Sequence, residues 1–80
     1  MDFKLYARPE SYQIIIGSEG TLKDARLILV VPKAEFDSAI KDRTRLVTKL
    51  EKHHPGFTQI AHEEGISWDN FFKEFEQIRE

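Results

Sequence analysis

Two kinds of hydrophobic spacing divide the chain near residue 32. Phe3, Leu5 and Ala7 alternate with polar neighbours, a period of two that is typical of a strand with one buried face. Two apolar runs follow, Tyr12 to Ile16 and Leu27 to Val31, and each is rich in β-branched residues. Short connections between these segments favour an antiparallel meander of two or three strands.

Turn and breaker residues bound the two apolar runs. Gly17 and the segment Ser18 to Gly20 end the first run, and Pro32, which cannot continue a central ladder, ends the second. In neither run do apolar and polar residues alternate, as they would in a strand with one solvent-exposed face. Both faces of the sheet are therefore expected to be apolar. Either the helices wrap both sides, or a second copy of the chain or another protein covers the remainder. A homodimer or a stable complex is therefore expected.

From Lys33 the hydrophobic period becomes helical. The apolar residues that share one arc at 100° per residue are Phe36, Ala39, Ile40, Val47 and Leu50, with Leu46 at its edge. This spacing predicts one long helix from Lys33 to His53 or His54, because Pro55 and Gly56 oppose its continuation.

Two shorter helices are predicted after this point. The first covers Thr58 to Glu64 and ends at Gly65 in a left-handed conformation. Ser67 then caps the last helix, with Ile66 and Phe71 spaced as a hydrophobic staple. The predicted fold is α+β, a small antiparallel sheet followed by three helices (ββ(β)ααα), in a single domain over residues 1–80 with the sheet in 1–32 and the helices in 33–80.

The segment from Gln59 to Ser67 resembles the first helix and turn of a helix-turn-helix, with Ala61 at the helix contact and Gly65 in the turn. The resemblance covers about a quarter of the chain and fails at Glu74, where the family has an apolar residue. It would point four side chains at a DNA groove: Trp68, Asp69, Phe72 and Glu76. Two carboxylates and two aromatic rings suit neither bases nor phosphates, so a motif that only builds the core is favoured.

Charge is uneven along the chain. The net charge is −2, but residues 33–56 hold six basic and four acidic side chains, whereas residues 57–80 hold two basic and six acidic ones. The basic residues Lys41, Arg45, Lys49 and Lys52 are predicted to form one stripe on the long helix. The stripe is interpreted as a solvated face that the acidic last helix offsets, with phosphate binding as the alternative.

Arg43 and Trp68 are the other candidate contact residues. Arg43 lies within the apolar arc, where it would reach solvent, pair with a carboxylate of the last helix, or mark a contact with another chain. Trp68 begins an aromatic stripe that continues through Phe71, Phe72 and Phe75. Such a stripe is usually core, but a tryptophan at a helix end is also a frequent interface residue.

Catalytic and metal chemistry find little support in the sequence. Cysteine is absent, and His53, His54 and His62 match no zinc-ligand spacing. No phosphate-binding loop occurs either. We therefore expect no enzyme activity, no cofactor and no metal. The longest apolar stretch is too short to cross a bilayer, so a cytoplasmic protein without a membrane segment is expected.

The functional hypothesis is a non-enzymatic module that binds another protein through the last helix or the sheet edge. Its candidate contacts are Trp68, Asp69, Phe72, Glu76 and Arg43. Inhibitors, antitoxins, immunity proteins and phage antagonists are the associated classes by size and charge. The alternative is a dimeric, helix-turn-helix-like nucleic-acid regulator that uses Lys41, Arg45, Lys49 and Lys52.

Overall fold

Three antiparallel strands form one sheet in the order β1-β2-β3. The computed structural model describes residues 3–17 and 25–79, so the turn predicted at Ser18 to Gly20 lies outside the described residues. The strands are β1 (Phe3–Ala7), β2 (Ser11–Ile16) and β3 (Leu27–Pro32). The structure confirms the three-stranded antiparallel meander and the α+β fold class.

One face of the sheet is buried under the helices, and the other is partly open. The inward side chains of β2 and β3 are almost fully buried: Tyr12, Ile14, Ile16, Leu27, Leu29 and Val31. On the outer face Tyr6, Ile28 and Val30 keep 46%, 45% and 57% of their surface exposed. Ile15 lies opposite both Lys4 and Ile28 in the register and is 3% exposed. The helices therefore cover one face only.

Four helices follow the sheet: α1 (Lys33–Phe36), α2 (Arg43–His53), α3 (Phe57–Glu63) and α4 (Trp68–Arg79). The prediction of one continuous helix from Lys33 to His53 is wrong, because the chain leaves helical geometry between Phe36 and Arg43. Lys41 consequently lies in a turn before α2, off the helical stripe on which the sequence placed it.

Local hydrogen bonds explain the break between α1 and α2. Asp42 adopts an extended backbone, and its carboxylate accepts a hydrogen bond from the backbone N–H of Arg45 at 3.2 Å, so it caps a new helix. Ala39 and Ile40 are nevertheless buried. A compact turn thus buries the same apolar residues as a helix would, which is why their spacing did not reveal the break.

The second half of the chain folds as its sequence predicts. Gly65 has a φ of +67° and ends α3, and the Ser67 hydroxyl accepts a hydrogen bond from the backbone N–H of Asn70 at 3.4 Å. Ile66 and Phe71 are both buried in the core. The predicted stop at Gly65 and cap at Ser67 are therefore confirmed.

Phe71 stands at the centre of an aromatic cluster that joins the sheet to the helices. Its ring centroid lies 5.4–6.3 Å from those of Phe3, Phe57, Trp68, Phe72 and Phe75. Offset and edge-on rings at such distances attract each other beyond the effect of burial alone. The face of α4 that bears Phe71 therefore anchors the helical layer to β1.

An ion-pair group ties the start of β3 to the end of α3. The Arg26 guanidinium pairs with Glu63 and, at 3.0 Å, with Glu64. Hydrogen bonds from Gln59 and then from Arg26 lower the pKa of Glu63 below its usual value. Segments that are distant in sequence thus share one group of charges.

Candidate binding site

A groove of about 380 Å³ runs between α2 and the first turns of α3 and α4. Trp68 and Phe72 form its aromatic wall, and Arg43 closes one end. The rest of its lining comes from Thr44, Val47, Thr48 and Thr58. Its volume lies in the lower part of the range of small-molecule and side-chain pockets, about 300–1,000 Å³.

The aromatic wall is built from two rings one helical turn apart. Trp68 stacks on Phe72 with centroids 5.7 Å apart and an interplanar angle of 26°. Phe72 is 8% exposed and belongs to the core, whereas Trp68 is only partly buried. The tryptophan therefore presents part of its ring to the groove while Phe71 and Phe72 hold it in place.

Arg43 connects α2 to α4 at the end of the groove. Its guanidinium lies 4.9 Å from the centroid of the Phe72 ring, and its Nη1 donates to Oδ1 of Asp69 at 2.8 Å. The side chains of Arg43 and Asp69 remain 61% and 85% exposed. Pairing with a carboxylate of the last helix, one of the three roles considered for Arg43, is confirmed. Because both groups are exposed, the ion pair contributes little to the stability of the fold.

The groove continues along α2 into a second depression of about 530 Å³. The two share Val47, Thr48 and Thr58, and the second adds Glu51 and Lys52. From Arg43 to Lys52 the lined face of α2 is about 14 Å long, at 1.5 Å per residue. The site is therefore an elongated channel rather than a closed cavity.

Glu51 fixes the junction of α2 and α3 in this second depression. Its carboxylate accepts hydrogen bonds from the backbone N–H groups of Gly56 and, at 3.1 Å, Thr58. These hydrogen bonds, chiefly those from Thr58, lower the pKa of Glu51. Gly56 reaches this position with a φ of +92°. Since Glu51 caps α3, it is not a free charge in the groove.

The structure brings together four of the five residues that the sequence singled out for partner contact. Trp68, Phe72 and Arg43 line the groove, and Asp69 is bonded to Arg43. Glu76 is exposed on α4 and is not part of the lining. Sequence reasoning missed the threonines and Val47, because nothing local marks a residue that lines a gap between two helices.

The basic residues are less aligned than predicted. Lys41 precedes α2, and Nζ of Lys49 lies 3.5 Å from Oε1 of Glu35. Arg45 and Lys52 are exposed on α2. Helices α3 and α4 follow each other across a short turn, as the resemblance to a helix-turn-helix predicts. Phe72, one of the four side chains that it would point at DNA, is buried.

His53 ends α2 and His54 is its C-cap residue, whereas His62 is exposed on α3. Nε2 of His53 lies 3.1 Å from Oε2 of Glu35, a contact that lowers the pKa of Glu35 together with the charge of Lys49. Nδ1 of His54 is buried without a hydrogen-bond partner in the described chain. Within residues 3–17 and 25–79, no three His, Asp or Glu side chains come close enough to hold a metal ion.

None of the described helices is long and apolar enough to cross a membrane. No protein-family model matches the chain, no curated protein matches its sequence, and no solved structure matches it.

Proposed function

We propose that this protein is a non-enzymatic module that binds another protein, with an apolar side chain of the partner inserted beside Trp68. The observation that carries the proposal is the groove between α2 and α4, where a partly buried tryptophan stands on a rigid aromatic base. Tryptophan and arginine in well-packed pockets dominate the binding energy of protein interfaces. Trp68 and Arg43 are residues of these two types and lie at one end of the groove.

The elongated shape favours a peptide segment over a compact small molecule. The channel follows α2 from Arg43 to Lys52, and exposed threonine side chains line its middle. A helical or extended segment of a partner would place successive apolar side chains along such a channel and leave its polar groups at the rim. By size and charge, the classes of small protein associated with such a module are inhibitors, antitoxins, immunity proteins and phage antagonists.

Selection from a random peptide library tests the proposal and does not require the natural partner to be identified. We expect peptides selected on the wild-type protein to share an apolar anchor and to change the fluorescence of Trp68, the single tryptophan in the chain. Thr48 is exposed and lines both depressions. Thr48→Arg should therefore fill the channel and weaken binding by about tenfold or more, the equivalent of about 1.4 kcal/mol.

Gln77→Arg is the matched control, because it adds the same side chain at an exposed position of α4 outside the groove. It should leave peptide affinity unchanged. Selected peptides that bind Thr48→Arg as tightly as the wild type, with no change in tryptophan fluorescence, would contradict the proposed site.

Nucleic-acid binding through the basic side of α2 is the second candidate, because Arg45 and Lys52 are exposed there. Anisotropy of labelled duplex DNA at about 50 and 150 mM salt separates the two candidates, since binding to phosphates weakens steeply with salt. If the protein-binding proposal is right, the Kd for duplex DNA should not fall below about 10 μM at either salt concentration. Salt-sensitive binding that Arg45→Glu with Lys52→Glu abolishes would favour the regulator instead.

A further inference from the structure

Strand β3 forms an edge of the sheet, and its first five residues, which precede Pro32, contain neither a charged residue nor a proline. Natural edge strands are blunted by charged residues, proline or bulges. The segment Leu27 to Val31 contains no charge and no proline, and it pairs with β2 in continuous register. Pro32 comes only at its end. Among the described residues, no further strand pairs with the outer edge of these five residues.

The backbone of β3 directs two complete sets of hydrogen-bonding groups away from the sheet. Lys33 N–H donates to the carbonyl of Glu10 at 3.0 Å, and this pair continues the register of β2 with β3. Hydrogen-bonded positions alternate along an antiparallel ladder. Val31, Leu29 and Leu27 therefore bond to β2, whereas Ile28 and Val30 point both their N–H and C=O groups outward.

The side chains of the same two residues are the exposed apolar ones of β3. Ile28 and Val30 are 45% and 57% exposed on the outer face. The opposite edge differs, because β1 carries the exposed cation Lys4 and is followed directly by the exposed Arg8. A second copy at β1 would bring like charges together, whereas two uncharged β3 strands meet without repulsion.

We propose that a second copy of this chain pairs with β3 across a two-fold axis, so that two three-stranded sheets join into one of six strands. In the joined sheet, the outer faces of the two copies form one surface only if each residue with its side chain on the outer face is paired with another such residue. This condition is fulfilled when Ile28 pairs with Val30 of the second copy and Leu29 lies on the two-fold axis. All five residues from Leu27 to Val31 are then paired.

This register also gives the most hydrogen bonds. The two Ile28–Val30 pairs exchange four N–H···O=C bonds. A shift of the register by two residues in one direction sets Ile28 opposite Pro32, which has no N–H to donate. A shift by two residues in the other direction sets Ile28 opposite Ile28 of the second copy, and this is then the only hydrogen-bonded pair within the apolar segment. Two-fold symmetric contacts of one surface with itself are the commonest form of protein oligomer.

Analytical ultracentrifugation of two matched variants tests the pairing. The wild type should sediment at twice the chain mass of 9.4 kDa. Val30→Lys should sediment as a monomer with an unchanged circular dichroism spectrum, because Val30 is exposed on an edge strand. Tyr6→Lys changes another exposed apolar residue, on the opposite edge strand, and should remain dimeric. A monomeric wild type, or a Val30→Lys variant that still dimerises, would overturn the proposal.

Cysteine cross-linking tests the register, since the chain has no cysteine of its own. Opposed residues of a hydrogen-bonded pair have Cα atoms about 5.5 Å apart, within disulfide reach. The double variant Ile28→Cys with Val30→Cys should form a disulfide-linked dimer on oxidation, and Ile28→Cys alone should not. Efficient cross-linking of the single variant, or a dimeric double variant that does not cross-link, would show a different arrangement. Because Thr48→Arg lies on another face, loss of peptide binding and loss of dimerisation are separately observable.

Discussion

Tyr12 connects the sheet to the turn between α1 and α2 through one side chain. Its ring is buried and lies 4.9 Å from that of Phe75 in an edge-on arrangement, while its hydroxyl donates to Oδ1 of Asp37. Burial, followed by the hydrogen bond to Asp37 and the charge of that carboxylate, raises the pKa of Tyr12 to about 12. A buried hydroxyl without a hydrogen-bond acceptor lowers the stability of a fold. The hydrogen bond to Asp37 therefore favours the position of the turn next to Tyr12.

Through Tyr12, the stability of the folded protein should depend on pH. A tyrosine in the unfolded chain ionises near pH 10. Because the folded pKa of Tyr12 is higher, at about 12, the stability from its neutral form is present below about pH 10 and is lost as the pH rises through about 12. In a Tyr6→Phe background, which leaves one tyrosine, ultraviolet absorbance should report the native ionisation near pH 12.

Asp37→Asn in that background should lower the pKa of Tyr12 without returning it to its ordinary value, because burial is the largest cause of the shift. Glu10→Gln removes another exposed carboxylate and serves as the control. An Asp37→Asn protein that titrates like the control would show that Asp37 does not influence Tyr12.

At the scale of the elements, α2 depends on its own cap because the chain breaks before it. Asp42 supplies a hydrogen-bond acceptor to the N–H of Arg45, and the basic residues Lys52 and His53 lie in the last turn, where they favour the helix dipole. The break matters for the site as well, because it sets the direction of the helix that forms one wall of the groove.

Substitution of Asp42 tests the cap. Asp42→Ala should lower the free energy of unfolding by about 1 kcal/mol, the usual value for loss of an N-cap. Asp42→Asn keeps an oxygen acceptor at the same position and should lose much less. Urea unfolding followed by circular dichroism measures both, and equal losses would mean that the cap does not define the start of α2.

At the scale of the whole molecule, the aromatic cluster around Phe71 holds the two layers together. Phe71 is fully buried and contacts rings from the sheet, α3 and α4. A domain of this size has little stability in reserve, on the order of 0.05–0.15 kcal/mol per residue. The free energy lost by creating one cavity at Phe71 is therefore a large fraction of the total free energy of unfolding.

Phe71→Ala should cost about 3–5 kcal/mol, the usual loss for a buried phenylalanine, and leave the chain largely unfolded at moderate temperature. Tyr6→Ala removes a ring of similar size from an exposed position and should cost less than about 1 kcal/mol. Thermal melting of the two variants compares them directly. Similar melting temperatures would mean that the Phe71 cluster is not the main link between the layers.

The sequence determined the elements whose signals are local. Alternation placed β1, and the stop at Gly65 and the cap at Ser67 placed the boundary of α3 and α4, because these features depend on neighbouring residues alone. The aromatic stripe of α4 likewise indicated its buried face.

Only the tertiary structure decided how distant segments meet. The break at Asp42 was hidden because a turn and a helix bury the same apolar residues, and the groove arises from the gap between α2 and α4. The sequence indicated that both faces of the sheet are apolar, but not which face the helices would cover. That choice depends on packing between residues far apart in the chain, and it left Ile28 and Val30 exposed on the edge strand β3.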